Sequence, residues 1–363
     1  MSTIQRPVHI DRRTFLLGAT TSVVGAGLWT ASAQKPAPMP SHLPRWRGFN
    51  LQEKFIAENK GPFKEQDFDW IAEWGFDFVR LPLDYRCWST QDDWFTINDA
   101  ELAEIDQAVD FGRQRGIHVC LNFHRAPGYS VNPNPPEPVL LWDDAKAQEA
   151  FAFQWAQFAE RFKGVPNATL SFDLVNEPAK VPTEKYVAVA RRIIDAIRAV
   201  DPDRLIISDG MQWGRQPIHE LAGAGVAQST RGYDPFRLTH YKASWVEGAD
   251  TWDEPDWPFT FGGEVWDKQR LYETAIEPWK ALEAKGVGVH VGEWGAFNQT
   301  PREVTLAWMR DMLALWRDAG WGWALWNLRG GFGPVDSQRS DVPYEDFRGH
   351  QLDRAMLDLL QNN

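Results

Sequence analysis

The sequence predicts a single (β/α)8 TIM barrel, and three observations lead to this fold class. Short apolar or β-branched runs alternate with longer segments of helical period from about residue 45 onward. Eight strand and helix units fit into roughly 315 residues, which suits this barrel with some enlarged loops. No low-complexity linker or break in composition divides the stretch. We therefore predict one domain over residues 45–363.

Each predicted element rests on its own pattern. The strands are predicted at the apolar runs Trp46–Leu51, Phe76–Pro82, Ile117–His124, Ala168–Val175, Arg204–Ser208, Phe236–His240, Val287–Val291 and Trp321–Trp326. Helices with one apolar face are predicted at Glu101–Arg115, Ala145–Phe162, Glu184–Val200, Arg270–Ala284 and Val304–Ala319. The longest loops, residues 125–144 and 242–269, follow the third and sixth predicted strands. Both are expected to rise around the same mouth of the barrel.

The first 33 residues have the features of an export signal. Arg12 and Arg13 precede an apolar stretch that runs to about Trp29, and the small residues 31–33 offer a cleavage position. This apolar core is shorter than the roughly 20 residues that span a bilayer. We expect residues 1–33 to be a twin-arginine signal and residues 34–44 a proline-rich spacer. The protein is then periplasmic or secreted, with no membrane contact after signal removal.

Charge restricts the class of ligand. The chain carries 38 basic and 50 acidic residues, a formal charge of −12, and removal of residues 1–33 leaves 35 basic and 49 acidic residues, a charge of −14. Nucleic acid is an unfavourable partner because binding its backbone needs a cationic face. A neutral ligand fits better. The chain has two cysteines, Cys87 and Cys120, so we do not expect disulfides to hold the domain.

Tryptophan is unusually abundant, with 20 residues in the chain. Such side chains commonly fill the core. Several nevertheless lie just beyond predicted strands or in polar loops, where an aromatic face can stack on a sugar ring. These candidates are Trp88, Trp142, Trp245, Trp252, Trp257 and Trp326.

Two glutamates end two separate predicted strands. The segment Leu170–Pro178 is an apolar strand that delivers Asn176 and Glu177 to its end, and Val287–Val291 is followed by Gly292 and Glu293. A lone glutamate at a strand end is commonly a solvated turn residue. A pair at the carboxyl ends of barrel strands meets at one mouth, and two carboxylates are what hydrolysis of a glycosidic bond needs.

Further polar or aromatic residues fall at or near predicted strand ends, where core filler is not expected. Arg80 lies inside the apolar run of the second strand, and the others end the third, sixth and eighth strands: His124, His240 and Trp326. Because an opposite charge favours the ionised form of a carboxylic acid, we expect Arg80 to keep Glu293 ionised. Adjacent strand residues face opposite ways, so Asn176 and Glu177 can share one site only if the strand bends or ends there.

The Asn-Glu-Pro at residues 176–178 and the Gly-Glu-Trp-Gly at residues 292–295 resemble the motifs of glycoside hydrolase family five, the cellulase family. The resemblance covers essentially the whole mature chain. It implies that Glu177 is the general acid/base and Glu293 the nucleophile of a retaining mechanism, with carboxyl groups about 5 to 5.5 Å apart. It further implies that Asn176 holds the sugar 2-hydroxyl, that His124 and His240 bind sugar hydroxyls, and that Trp326 forms a platform under the reacting sugar. A buried structural histidine is the alternative for each histidine.

One segment departs from the family pattern. Many members carry His-x-Tyr after the sixth strand, with the tyrosine near the nucleophile, whereas this chain has His240-Tyr241-Lys242. Either Tyr241 takes that place through a shifted backbone or the contact is missing. The acid/base and nucleophile assignments do not depend on the outcome, but substrate preference does.

The sequence thus favours a retaining β-glycoside hydrolase, an endo-acting β-1,4-glucanase first of all. A β-mannanase or an exo-acting β-glucosidase of the same family is the alternative, because tall loops can block one end of a cleft. A barrel that only binds sugar is the rival from another class, and the presence of both glutamates together with Arg80 argues against it. No cofactor and no metal are expected, and the partner is an oligo- or polysaccharide.

Overall fold

The computed structural model describes residues 37–132 and 135–363, and these residues form a closed barrel of eight parallel strands surrounded by helices. The eight strands follow one another around the barrel in chain order, and the second strand pairs with the third. The first strand pairs with the eighth, which closes the ring. The predicted fold class is confirmed. The strands are β1 Arg47–Asn50, β2 Phe78–Asp84, β3 His118–Ala126, β4 Leu170–Asp173, β5 Ile206–Asp209, β6 Ala227–Gly232, β7 Val289–Trp294 and β8 Trp323–Leu325.

The helices form the outer layer, and their ends follow the local sequence. The Asn98 side chain accepts a hydrogen bond from the Ala100 amide at one helix start, and Gly116 ends the same helix in the left-handed conformation. The α-helical segments are Glu65–Glu73, Asp99–Arg115, Ala145–Arg161, Thr183–Val200, Met211–Gly214, Phe236–Thr239, Lys268–Leu271, Glu277–Glu283, Arg302–Ala319 and Arg354–Gln361, with a π-helix at Tyr272–Ile276. Short 3-10 helices lie at Ala57–Asn59, Tyr85–Cys87, His219–Leu221 and Ala249–Thr251.

The sixth strand was predicted at the wrong place. It spans Ala227–Gly232, whereas Phe236–Thr239 forms one helical turn beyond it and His240 follows that turn. A pattern of apolar runs does not predict this strand, because four of its six residues are polar although all six are buried. Gln228 shows how such a strand is stabilised: its side chain accepts from the Ile218 amide at 2.8 Å and donates to the Ile218 carbonyl at 2.7 Å.

Short strands outside the barrel shape its mouth. Tyr129–Ser130 pairs antiparallel with the end of β3, and the hairpin Phe259–Phe261 with Glu264–Trp266 stands in the long loop after β6. A second hairpin, Glu345–Phe347 with His350–Leu352, precedes the last helix. The two longest loops therefore contain some regular structure, which gives the rim of the barrel a defined shape.

The remaining predictions concern the chain ends and the cysteines. The export signal predicted at residues 1–33 lies outside the described residues. Within the predicted spacer, Leu43 is buried and the Pro40 carbonyl accepts a hydrogen bond from the Gly288 amide at 2.7 Å, so residues 40–43 lie against the barrel. Cys87 and Cys120 are both free and buried. Among the described residues, no helix combines the length and apolar character needed to cross a membrane.

Candidate active site

A cavity of about 820 Å³ opens at the carboxyl ends of the strands. Its size falls within the range of roughly 300–1,000 Å³ that is typical of small-molecule sites. The cavity contacts six of the eight residues predicted from the sequence; Arg80 lies beneath it and Tyr241 does not reach it. The six are His124, Asn176, Glu177, His240, Glu293 and Trp326.

Glu293 reaches the cavity through an irregularity in β7. Val291 pairs with Thr230 and Glu293 with Arg231, so Gly292 is an extra residue, a β-bulge that turns the glutamate inward. Its Oε1 accepts from Arg80 Nη1 at 2.6 Å, and its Oε2 accepts from the Tyr233 hydroxyl at 3.2 Å. Its side chain is only 4% exposed. Both carboxyl oxygens of Glu293 therefore have a hydrogen-bond donor.

Glu177 enters the same cavity because β4 ends four residues earlier, at Asp173, and the backbone then turns. Glu177 has a left-handed φ of 47°, which is uncommon for a residue with a side chain. Its amide donates to Asp209 Oδ2 at 2.9 Å, and its carbonyl accepts from the Tyr129 hydroxyl at 2.7 Å. These bonds hold the turn that allows Asn176 and Glu177 to face one site.

Arg80 links the floor of the cavity to Glu293. It is buried, and besides Glu293 it donates to Asp173 Oδ2 at 2.9 Å, to Asn50 Oδ1 at 3.1 Å and to Asn176 Oδ1 at 3.0 Å. Burial alone would lower the pKa of Arg80, but the neighbouring carboxylates of Glu293 and Asp173 raise it above its usual value. The guanidinium therefore stays charged.

The two glutamates have different electrostatic environments. Burial, followed by repulsion from the Glu293 carboxylate, raises the pKa of Glu177 to about 8, although Arg231 opposes the shift. Glu177 is thus protonated near neutral pH, while Glu293 contacts the permanent charge of Arg80. One protonated acid and one ion-paired carboxylate face the same cavity, which is the division of roles that glycosidic-bond hydrolysis uses.

The comparisons agree with this arrangement. A model of the Cellulase family (glycosyl hydrolase family 5) matches residues 32–331. The chain belongs to glycosyl hydrolase family 5. It is a glycoside hydrolase, and its family implies a polysaccharide substrate.

Individual family 5 relatives and related structures are similar over most of the chain. Cellodextrinase A of Ruminococcus flavefaciens is 27% identical over 68% of this chain and 73% of its own length, and endoglucanase C of Acetivibrio thermocellus is 24% identical over 73% and 83%. A crystal structure described as a glycoside hydrolase superposes with a TM-score of 0.84 and 43% identity, covering 88% of this chain and 99% of that one. Endoglucanase Cel5A of Thermotoga maritima gives a TM-score of 0.72 and 25% identity, covering 87% and 96%.

In this family 5 enzyme both predicted histidines contact the cavity as neutral rings. Burial and the nearby Arg80 lower the pKa of His124 well below its usual value, and burial lowers the pKa of His240 to about 3. His124 Nε2 lies 3.4 Å from Asn176 Nδ2. His240 does not end a strand as predicted, but its ring stacks on Phe236 with centroids 4.0 Å apart. Neutral imidazoles suit hydrogen bonds to uncharged hydroxyls.

The tyrosine beside Glu293 is Tyr233, not Tyr241. Tyr241 is buried away from the cavity, whereas the Tyr233 hydroxyl donates to Glu293. The reason is the misplaced sixth strand: the true β6 ends at Gly232 and Tyr233 follows it, so Arg231-Gly232-Tyr233 has the His-x-Tyr spacing with arginine in the first position. The tyrosine contact with Glu293 is therefore present, and this spacing was the signal that could have located it.

Sequence reasoning also gave no role to three polar residues of the site. Arg231 contacts both glutamates, and Asp209 holds the Glu177 amide and pairs with Arg231. Asn50 donates to the Gly292 carbonyl at 3.0 Å and accepts from Arg80. Asp209 and Asn50 each end a barrel strand, the position that drew attention to the other site residues. Buried neighbouring charges also affect Asp173, whose pKa is raised to about 7 by burial and by Asp209.

Two of the six candidate tryptophans, Trp245 and Trp326, contact the cavity. Trp88 and Trp142 are buried in the core, Trp257 donates to Asp311 Oδ2 at 2.9 Å, and Trp252 packs against Arg237. A seventh, Trp213, also contacts the cavity although no sequence pattern indicated it. It lies in the turn after β5, where Gln212 and Trp213 both have positive φ. Strained backbone of this kind is concentrated at functional sites.

Proposed function

We propose that the protein is a retaining β-glycoside hydrolase with Glu177 as general acid/base and Glu293 as nucleophile. The observation that carries the proposal is the contrast between two carboxyl groups on one cavity. Glu293 accepts hydrogen bonds from Arg80 and Tyr233, and burial raises the pKa of Glu177 to about 8. One group is thus suited to attack and the other to donate a proton.

The first step forms a glycosyl-enzyme. A Glu293 oxygen attacks the anomeric carbon and forms a C–O bond to it. The bond between that carbon and the leaving oxygen breaks, and its electron pair goes to the leaving oxygen, which takes the proton of Glu177. The first sugar fragment then departs, and Glu177 is ionised beside the new ester.

The second step releases the enzyme. The Glu177 carboxylate removes a proton from water, whose oxygen bonds to the anomeric carbon while the ester C–O bond breaks and its electrons return to Glu293. Two displacements at one carbon restore its original configuration. Asn176 supports both steps: its Oδ1 accepts from Arg80 and Arg231, so its Nδ2 is the group left to donate to the sugar 2-hydroxyl.

For the substrate we propose a β-1,4-glucan that is cleaved within the chain. Two groups of aromatic side chains line the cavity: Phe55 and Trp326 after β1 and β8, and Trp213, Phe236 and Trp245 after β5 and β6. Aromatic faces at two places suit more than one sugar ring. Relatives described as endoglucanases and a cellodextrinase support a glucan.

A β-mannanase or an exo-acting β-glucosidase is the alternative. Thermotoga maritima Cel5A has been crystallised with mannotriose, and a relative in Aspergillus fumigatus is described as a probable glucan 1,3-beta-glucosidase. Both observations concern proteins that are less than 30% identical to this chain. They define which substrates the experiment must include.

The test is a product profile on soluble β-1,4-glucan, β-1,3-glucan, mannan, xylan and the matching oligosaccharides. We expect oligosaccharides of several lengths from the glucan at early times, and β-configured reducing ends by NMR before mutarotation. Monosaccharide or disaccharide alone from the start would indicate exo action, faster cleavage of mannan would indicate a mannanase, and α-configured ends would contradict retention.

The pH profile should have an alkaline limb set by Glu177. Because its pKa is about 8, the acid is protonated below that pH and is lost as pH rises through it. We expect kcat/KM for a natural cello-oligosaccharide to fall with a midpoint at about pH 8. A dinitrophenyl glycoside, whose leaving group needs no proton, is the control and should lack this limb. The same limb with both substrates would count against Glu177 as the acid.

A further inference from the structure

Arg231 is a buried cation that contacts both glutamates at once. Its Nε donates to Glu177 Oε1 at 2.9 Å, and its Nη2 lies 3.3 Å from Glu293 Oε1 and donates to Asn176 Oδ1 at 2.9 Å. Nη1 donates to Asp209 Oδ1 at 3.0 Å and to Ser229 Oγ at 2.9 Å. Its side chain is 1% exposed. A guanidinium held by this many acceptors has one orientation.

The backbone around Arg231 leaves room for it. A Cβ at Gly214, where φ is +74°, would lie 2.5 Å from Arg231 Cγ. A Cβ at Gly292 would lie 2.8 Å from Arg231 Nη1 and 2.4 Å from Ser229 Oγ. All three contacts are too short for any side chain without movement of the arginine or the serine. The bulge residue of β7 and the turn after β5 therefore both accommodate this arginine.

We propose that Arg231 is a positioning residue that holds the carboxyl group of Glu177 in both its protonated and its ionised form, and that the second step of the reaction depends on it most. The proposal rests on the proposed roles of Glu177 and Glu293. It assigns to Arg231 a function that Arg80 does not have, since Arg80 contacts Glu293 and has no contact with Glu177 among the hydrogen bonds and ion pairs of the described residues.

In the resting enzyme Arg231 selects which oxygen of Glu177 carries the proton. An arginine N–H can only donate, and the carbonyl oxygen of a carboxylic acid accepts better than its hydroxyl oxygen. Because Nε–H is directed at Oε1, the proton belongs on Oε2. The acid thus presents its proton on the oxygen that Arg231 does not occupy.

In the glycosyl-enzyme the charges exchange places. Glu293 is then a neutral ester, and Glu177 has become the carboxylate. Arg231 contacts both side chains already, so it neutralises Glu293 before the first step and Glu177 after it without moving. A preorganised charge of this kind needs no rearrangement as the reaction proceeds.

Other charged or titratable groups surround Arg231 and also contribute to the electrostatic environment of the two glutamates. Asp209 on β5 is its strongest partner, with one further contact from Nη2 to Oδ2, and Asp173 on β4 lies nearby. Burial of these groups makes their mutual effects large. The groups facing the two glutamates and Arg231 are Asp173, Asp209, Arg80, His124 and Tyr233.

The experiment compares Arg231→Gln with Arg231→Lys on a dinitrophenyl cellobioside. For Arg231→Gln we expect a burst of dinitrophenol followed by a steady rate about 10²-fold below wild type, because misplacement of a reacting group costs about this factor. Azide, a nucleophile that needs no base, should accelerate the steady rate.

Removal of the cation should also move the alkaline limb for a natural oligosaccharide upward by about 1 pH unit or more, since a nearby positive charge lowers a carboxyl pKa. Arg231→Lys keeps the charge and should slow the second step without that shift.

Arg204→Gln is the matched control, because Arg204 is a buried arginine of the barrel that bonds to carbonyls far from the cavity. It should lower the melting temperature and leave the burst and the pH limb unchanged. Equal slowing of both steps by Arg231→Gln, with no azide effect and no pH shift, would overturn the proposal. If Arg231→Gln does not fold, the burst and the azide response of Arg231→Lys alone test the proposal: their presence supports it, and their absence overturns it. Failure of wild type to form a covalent intermediate would instead overturn the proposed function.

Discussion

Glu293→Gln is expected to abolish turnover, with a loss of kcat of about 10⁴-fold or more, the scale seen when an enzyme loses its nucleophile. Glutamine keeps the shape of the side chain but removes the carboxylate that, in the proposed mechanism, attacks the anomeric carbon. It also leaves Arg80 and Arg231 without one of their anionic partners. The effect should appear on natural glycans and on activated aryl glycosides alike, because both need the covalent step.

The deciding measurement is covalent labelling. A 2-deoxy-2-fluoro cellobioside with a good leaving group should form a stable ester on wild type, and peptide mass spectrometry should locate it at Glu293. Glu293→Gln should not be labelled. Glu303→Gln is the matched control, since the Glu303 side chain is 86% exposed on an outer helix, and it should be labelled like wild type. A label on any other residue would overturn the nucleophile assignment.

Glu177→Ala should affect two classes of substrate differently. Hydrolysis of natural cello-oligosaccharides should fall by about 10²–10⁴-fold, because the leaving sugar oxygen has lost its proton donor. The first step on a dinitrophenyl glycoside should be spared, since that leaving group departs without a proton. The second step then lacks its base, so a burst of dinitrophenol is expected.

Azide provides the second half of this test. It attacks without a general base and can occupy the space that the shortened side chain leaves, so it should restore turnover and give a β-configured glycosyl azide. Glu303→Ala, which removes an exposed carboxylate, should behave like wild type with every substrate. Equal losses on natural and activated substrates would show that Glu177 is not the acid.

The sequence predicted well those elements whose buried side chains are apolar. The strands β2, β3 and β7 and the five predicted helices lie within a few residues of their predicted positions, because apolar runs and helical periods record burial directly. The strand β6 was missed for the opposite reason. Its buried side chains are polar and are stabilised by specific hydrogen bonds such as those of Gln228, which no hydrophobic pattern reports.

The candidate site shows the same difference between residues that follow apolar strands and residues on or just after the polar strand β6. Residues at the ends of apolar strands, such as Glu177 and Glu293, were found, and the structure brings them to one cavity. Arg231 and Tyr233 were not found because their strand was not found, and Tyr241 was considered in place of Tyr233. The sequence did not predict the directions of the side chains either. Strict alternation along β7 would turn Glu293 the same way as Val289 and Val291, away from Arg231.

The bulge at Gly292 reverses that alternation, and it has a consequence for protein engineering. The inward direction of Glu293 is a property of the backbone, created by one extra residue in β7 and by the absence of a side chain on it. A designer who grafts the two glutamates on to a regular barrel of eight strands would obtain a counterpart of Glu293 that faces the surrounding helices. The smallest unit that can be transplanted is therefore the bulged strand together with the neighbouring strand that carries Arg231.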